Sequence, residues 1–247
     1  MASVFHDSAH NESSASGTTI ANADALAVTA GDLVDLCIGW EGATAGSSII
    51  EIDDGNGNKL STGQITVTGA LLSHSNGDLR AVRYSFNATT TGALTITATW
   101  SAARTFRSIT AISATPSAGT TLQVDSGTTQ AQGTSATPSA GTGTSTTSAG
   151  FAIATVRQYG TRTATAGAGW TLPAELVTLT DGGHAEHRVI SATGSMSGDM
   201  SLDVSNEFVA HLIIYKEVAL GGETLSFDEG VWQPLEQQTN PLNVSMW

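Results

Sequence analysis

Positive charge is scarce in this chain. Two lysines, Lys59 and Lys216, and seven arginines stand against 22 acidic side chains, for a formal net charge of −13 over 247 residues. Binding to phosphate backbones relies on clustered Lys and Arg that displace counterions, so nucleic acid is a poor partner. Cysteine is scarcer still. Cys37 has no partner for a disulfide within the chain, and its place inside an apolar strand reads as a small core residue rather than a reactive thiol. Stability is then expected from packing, without a disulfide framework. Apolar runs fall short of the ~18 residues of a membrane helix. The opening "MASVFHDSAHNESS" has neither the basic start nor the apolar stretch of a secretory signal, so the expectation is synthesis in the cytoplasm without membrane association. Charged residues make up 13% of the chain, about half of the ~25% usual in globular domains. Ser, Thr, Gly and Ala fill the gap.

Alternation with a period of two recurs, and helical periodicity is nearly absent. Leu94, Ile96, Ala98 and Trp100 share one face of "GALTITATW" while Thr95, Thr97 and Thr99 share the other, the pattern of a half-buried strand. Val34, Leu36, Ile38 and Trp40 form a similar face, as do Val82, Tyr84 and Phe86; Met200, Leu202 and Val204; and Phe208, Ala210, Leu212 and Ile214. Turn clusters such as "DDGNGN", "SHSNGD" and "TDGGH" lie between these runs and supply residues that accept positive φ. The fold expected is all-β, an antiparallel β-sandwich of jelly-roll-like type.

The two halves echo one another. "TAGDLVDLCIGW", "LRAVRYSF", "GALTITATW" and "TFRSITAI" follow in the same order as "SAGFAIATVRQYG", "AEHRVISA", "GDMSLDVS" and "EFVAHLIIY". Two copies are too few for a solenoid, and two facing sheets are the better expectation. Residues 1–16 read as an N-terminal arm or first strand, and 17–217 as one sandwich domain. Its crossover, 113–150, holds two "SATPSAGT" copies and reads either as an ordered connection or as a mobile loop. Residues 218–247 lose the alternation and contain Gly221, Gly222, Pro234 and Pro241, so an extended C-terminal arm is expected. Its apolar side chains Phe227, Trp232, Leu235, Leu242 and Trp247 are the candidate partner-binding anchors.

No constellation for catalysis stands out. His184, Glu186 and His187 sit close together in "DGGHAEHR", but a strand would send His187 to the face opposite the other two, and a turn entering an exposed strand is the plainer reading. "DDGNGNKL" offers Asp54, Asn56 and Asn58 at calcium-loop spacing, yet Lys59 and Ile65 stand where such a loop needs Gly and Glu. "GSMSG" has Met196 where a nucleophile elbow needs serine. Trp40, Trp100 and Trp170 read as core anchors, and the scattered arginines as partners of Asp and Glu. The expectation is a protein that is not an enzyme, with no catalytic residue, metal or cofactor.

The order "FHDSAHNESSASGTT", "AVTAGDLVDLCIGW", "DDGNGNKL", "LRAVRYSFNATTTGALTITATW", "RTFRSITAIS", "TSAGFAIATVRQYG", "GAGWTL" and "FVAHLIIYKE" resembles the β-sandwich virion proteins of tailed bacteriophages and prophages, over about Val4 to Lys216. The resemblance implies a structural part of a virion, as a head decoration (cement) protein or a tail or fibre component. Its partners would be the major capsid protein or other virion proteins, in symmetric copies or as a homo-oligomer. A carbohydrate- or receptor-binding module of a tail, fibre or bacterial surface is the alternative.

Overall fold

The computed structural model describes residues 2–42, 48–74, 79–125 and 129–220. The first half supplies β1 (Val4–Ser13), β2 (Gly17–Ala21), β3 (Leu26–Val28), β4 (Leu33–Glu41), β5 (Ile49–Asp53), β6 (Thr66–Ser73), β7 (Leu79–Asn87), β8 (Gly92–Leu94) and β9 (Thr97–Thr115). The second half supplies β10 (Thr120–Val124), β11 (Thr129–Ser135), β12 (Ser139–Ser145), β13 (Gly150–Gln158), β14 (Thr161–Thr165), β15 (Thr178–Thr180), β16 (Gly183–Ile190), β17 (Gly194–Asp199), β18 (Ser201–Leu202) and β19 (Asn206–Ala219). Among the described residues a single 3-10 turn, Ala174–Leu176, interrupts an otherwise all-β fold whose strand pairs are antiparallel. No helix among the described residues is long and apolar enough to cross a membrane.

The echo in the sequence is an echo in topology. One main sheet has the order β1-β9-β4-β7-β6, the other β10-β19-β13-β16 with β11 also on β19. In each, the last long strand of the half lies beside its first core strand, which lies beside the middle one: β9, β4, β7 and then β19, β13, β16. Strand β9 is long enough to serve two sheets. Its C-terminal part pairs with β1 and β4, and its N-terminal part pairs with β2 and β5. The change of partners falls near Phe106, whose φ of 46° is rare for a residue with a side chain.

Each main sheet buries one face against a smaller outer layer. Val34, Leu36, Ile38 and Trp40 of β4 and Val82, Tyr84 and Phe86 of β7 close on Ile20, Leu26, Ile52, Ile96 and Trp100. Trp40 and Trp100 meet edge to face, with ring centroids 5.9 Å apart. In the second half Ala152, Ala154, Val156, Ala210, Leu212 and Ile214 close on Trp170, Met196, Met200 and Leu202. Val204 breaks the expected inward series and is exposed, because β18 ends at Leu202 and the chain turns into β19.

The other faces of the two main sheets pack on each other. Leu33, Ile112 and Ala114 from the first meet Phe151, Ile153, Ile213 and Tyr215 from the second in a shared core. The molecule is therefore four β layers, two sandwiches back to back, and β4, β13 and β19 are buried on both faces. The stretch 113–150 joins them with β10, β11 and β12, which pair with β19 and β17. Strand β19 runs to Ala219, so its pairing with β10 extends two residues into the stretch expected to be arm.

Candidate functional site

Chemistry-bearing side chains collect in the joint between the two main sheets. Cys37 of β4 lies opposite Arg83 of β7, with Asp35 two residues along the same face, and Thr155 and Tyr215 approach from the second sandwich. The Arg83 guanidinium donates to Asp35 through Nε at 2.9 Å and through Nη2, and Nη1 donates to Thr155 Oγ1 at 2.8 Å. The Tyr215 hydroxyl donates to the second Asp35 oxygen. All five, Cys37 included, are buried. Burial pushes the Asp35 carboxyl up and the Arg83 cation works against that shift. For Arg83, burial disfavours the charge, but Asp35 outweighs it and the guanidinium stays protonated. Burial likewise raises the Cys37 thiol, which keeps it an inert core group.

A second arginine holds the other end of the joint. Arg157, fully buried, has no carboxylate within salt-bridge reach among the described residues; Nη1 donates to Ser108 Oγ and to the Asp181 carbonyl at 2.5 Å each, and Nη2 to the Phe106 carbonyl at 2.6 Å. Phe106 and Asp181 are the non-glycine residues with positive φ among those described, at 46° and 55°. One guanidinium thus secures both strained carbonyls, one from each sandwich. Glycine at position 39 makes room for it, since a Cβ there would lie 2.3 Å from Arg157 Cδ.

The His184, Glu186, His187 cluster is separated as strand geometry requires, but β16 is buried there rather than exposed, because the joint covers one of its faces and the second outer layer the other. His184 donates from Nδ1 to the Leu176 carbonyl at 2.8 Å and accepts from the Gln158 amide at 3.2 Å, the arrangement of a neutral ring, and burial lowers its pKa. His187 stacks against Phe5 of the first sandwich, with centroids 4.3 Å apart, and against Phe151 at 5.4 Å. Burial lowers its pKa to about 4. Glu186 accepts from the Gly167 amide at 2.8 Å and keeps its other oxygen buried without a partner, and burial raises its pKa to about 7.

The remaining sequence candidates have structural occupations. Asp54 caps its own turn, accepting from the Asn56 and Asn58 amides at 2.8 and 2.9 Å and from Asn58 Nδ2 at 2.6 Å, while Lys59 reaches Asp53 at 2.6 Å. Trp40, Trp100 and Trp170 are buried. The five arm anchors, Phe227, Trp232, Leu235, Leu242 and Trp247, lie outside the described residues. What sequence reading missed is the joint. Its signal was Asp35 alternating with Leu33 and Cys37 on the face of β4 that a two-layer sandwich would leave to solvent.

One corner gathers both ends of the described body. Ser3 Oγ donates to Glu217 Oε1 at 2.6 Å, the Ser117 amide donates to the same oxygen at 3.0 Å, and the Leu220 amide donates to the Gly119 carbonyl at 2.9 Å. These hydrogen bonds hold the Glu217 carboxyl below its ordinary range, outweighing a burial that would raise it. Set beside known proteins, the chain matches no family model, no curated protein and no solved structure.

Proposed function

We propose that the chain is a non-enzymatic structural protein of a virion, a decoration (cement) protein that binds the head shell of a tailed phage and stabilises it. The segment beyond Leu220 is its attachment device. The observation that carries this reading is the corner at Glu217: two serines and a backbone hydrogen bond fix the described chain up to Leu220, next in sequence to residues 221–247 with Phe227, Trp232, Leu235, Leu242 and Trp247. Arg83, Arg157, Asp35 and His184 support it from the other side, because each is bonded within or beside the joint and none is presented to a substrate. Each anchoring aromatic contributes ~2 to 3 kcal/mol by area, enough in combination to hold a subunit on a shell after its ordering cost.

The experiment is to add the full chain to shells assembled without it. Saturable, symmetric occupancy is expected, with a sharp fall for Trp232→Ala at unchanged melting temperature. Failure to bind shells combined with retention on a glycan array would replace this reading by the sugar- or receptor-binding one. That alternative lacks aromatic platforms on the body, where the described tryptophans are buried.

A further inference from the structure

Each main sheet has one edge guarded by charge and one that is bare. β1 carries His6, Asp7, His10 and Glu12, and β16 carries Glu186 and Arg188 and is bridged by Thr171. The opposite edges are β6 (TVTGALLS) in one sheet and β10 (TTLQV) and β11 (TQAQGTS) in the other, with no charged residue and no proline among them. Edges without charge or proline invite a further strand wherever their backbone groups stay unpaired; on β6 the Ala70 carbonyl already accepts from His211 Nε2 at 3.0 Å. The two bare edges lie side by side. Gln64 and Thr66 face Leu122 and Val124 across a cleft of about 240 Å³, and Thr68 and Ala70 face Gln130 and His211 across a second of about 320 Å³. Val67, Leu71 and Val124 are 57%, 49% and 40% exposed on these strands.

The shape of the side selects its occupant. Strand β6 shifts register twice against β7, between Val67 and Gly69 and between Gly69 and Leu72. Bulges twist an edge away from a flat partner sheet, whereas a single extended segment can follow it. Such a segment begins at Leu220. Residues 221–247 carry Glu223, Asp228, Glu229 and Glu236 and no Lys or Arg, so in a chain of net charge −13 an uncharged edge repels them least. Fully extended they span up to ~80 to 90 Å. Pairing of Tyr215 with Val124 and of Ala219 with Thr120 means that β19 runs away from both clefts at its described end. The same copy's segment would have to reverse to reach them, which favours a neighbouring copy as its source.

We propose that the side formed by β6, β10 and β11 docks residues 221–247 of a neighbouring copy, laid along β6 with aromatic anchors in the two clefts. The inference rests on the reading of that segment as an attachment device. Because the one native thiol, Cys37, is buried, introduced cysteines report cleanly. Full-length Val67→Cys and Trp232→Cys chains, mixed and oxidised, should yield a cross-linked heterodimer, at least about tenfold more than a pair using Thr18→Cys on the exposed face of β2. Adding Leu71→Lys, which puts charge on an exposed edge position, should suppress it. A yield no greater than that of the Thr18 control overturns the proposal, as does a Val67→Cys/Trp232→Cys chain that closes on itself at every concentration. If cross-linking fails while Trp232→Ala still lowers shell occupancy, the dock is wrong and the attachment reading stands. If cross-linking succeeds while occupancy is unaffected, the dock stands and the attachment to shells fails.

Discussion

Strand β4 buries both of its faces, but the face turned to the outer layer holds Val34, Leu36, Ile38 and Trp40, while the face turned to the joint holds Leu33, Asp35, Cys37 and Gly39. Equal burial is achieved by different chemistry. The outer cores are filled by apolar area, which is non-directional and tolerates repacking. The joint adds directed bonds, Asp35 to Arg83 and Tyr215, Arg83 to Thr155, and Arg157 to Ser108 and two carbonyls. Apolar area alone would hold two flat sheet faces together in several registers. The partners of the buried arginines are met together only in the register observed.

The largest expected difference between the two faces comes from removing a joint cation. Arg83→Ala leaves Asp35 buried with Tyr215 as its remaining hydrogen-bond donor, and breaking a buried pair in this way costs about 3 to 5 kcal/mol. Ile38→Val on the opposite face of the same strand costs about 1 kcal/mol. The double replacement Asp35→Leu with Arg83→Met should recover most of the loss, because the uncompensated charge is gone. Urea unfolding of the four proteins decides it. An Arg83→Ala midpoint no lower than that of Ile38→Val would remove the distinction between the faces.

Acid should attack the joint before the outer cores. His187 and His211 lie in the joint, and burial lowers both to about 4, with Arg83 helping to depress His211. A histidine lowered from 6.5 contributes stability that is present above pH 6.5 and lost as the pH falls through about 4, for His211 about 3 kcal/mol at most. Glu186, in the second outer core, acts in the opposite sense, since its folded value of about 7 means stability is full below pH 4.5 and lost as pH rises through 7. Three histidines with lowered values, His184 included, stand against two raised carboxyls, Glu186 and Asp35, so the melting temperature should fall from pH 7 to pH 4.5. His211→Gln should flatten that slope, and an unchanged slope would show that the joint is not where acid acts.

A smaller effect separates the faces by volume. Gly39→Ala would place a methyl group 2.3 Å from Arg157 Cδ, in a joint where Arg157 is held by three hydrogen bonds. Overpacking of this kind costs ~1 to 3 kcal/mol. A loss for Gly39→Ala that is absent in an Arg157→Met background would show that the glycine serves the guanidinium. Equal losses in both backgrounds would mean that the backbone itself needs glycine.

The same contrast explains what could be read from the sequence. Period-two runs placed Val34, Leu36, Ile38 and Trp40 inward, and the repeated motif order gave the matching strand orders of the two main sheets. Alternation reports one buried face, so it cannot reveal that Asp35 and Cys37 are covered by a second sandwich whose strands lie more than a hundred residues away. For the same reason His184, Glu186 and His187 read as exposed when they are buried. Polar residues carry no mark of burial until their partners are known, and Arg83 finds Thr155 only after both halves have folded. The expectation of anchors in 221–247 rests on composition alone, and those residues lie outside the described ones.

The finest test lies in the second outer core, which is the exception to its own rule. Among apolar neighbours it holds Glu186, whose Oε2 accepts from Gly167 and whose Oε1 is buried without a partner close to the backbone of Gly198. If outer cores are held by area and not by charge, making this group permanently neutral should help at high pH and do little at low pH. Glu186→Gln keeps an acceptor for the Gly167 amide, but its new NH₂ group meets the same unpartnered space, so part of the gain is offset. The expected result is a rise of about 1 kcal/mol at pH 8, where the wild-type carboxylate is ionised in the fold, and none at pH 5, where it is already protonated. Unfolding at both pH values measures the difference directly. A loss at pH 8 would mean that the carboxylate charge has a partner there and that this core, like the joint, is organised by polar bonds.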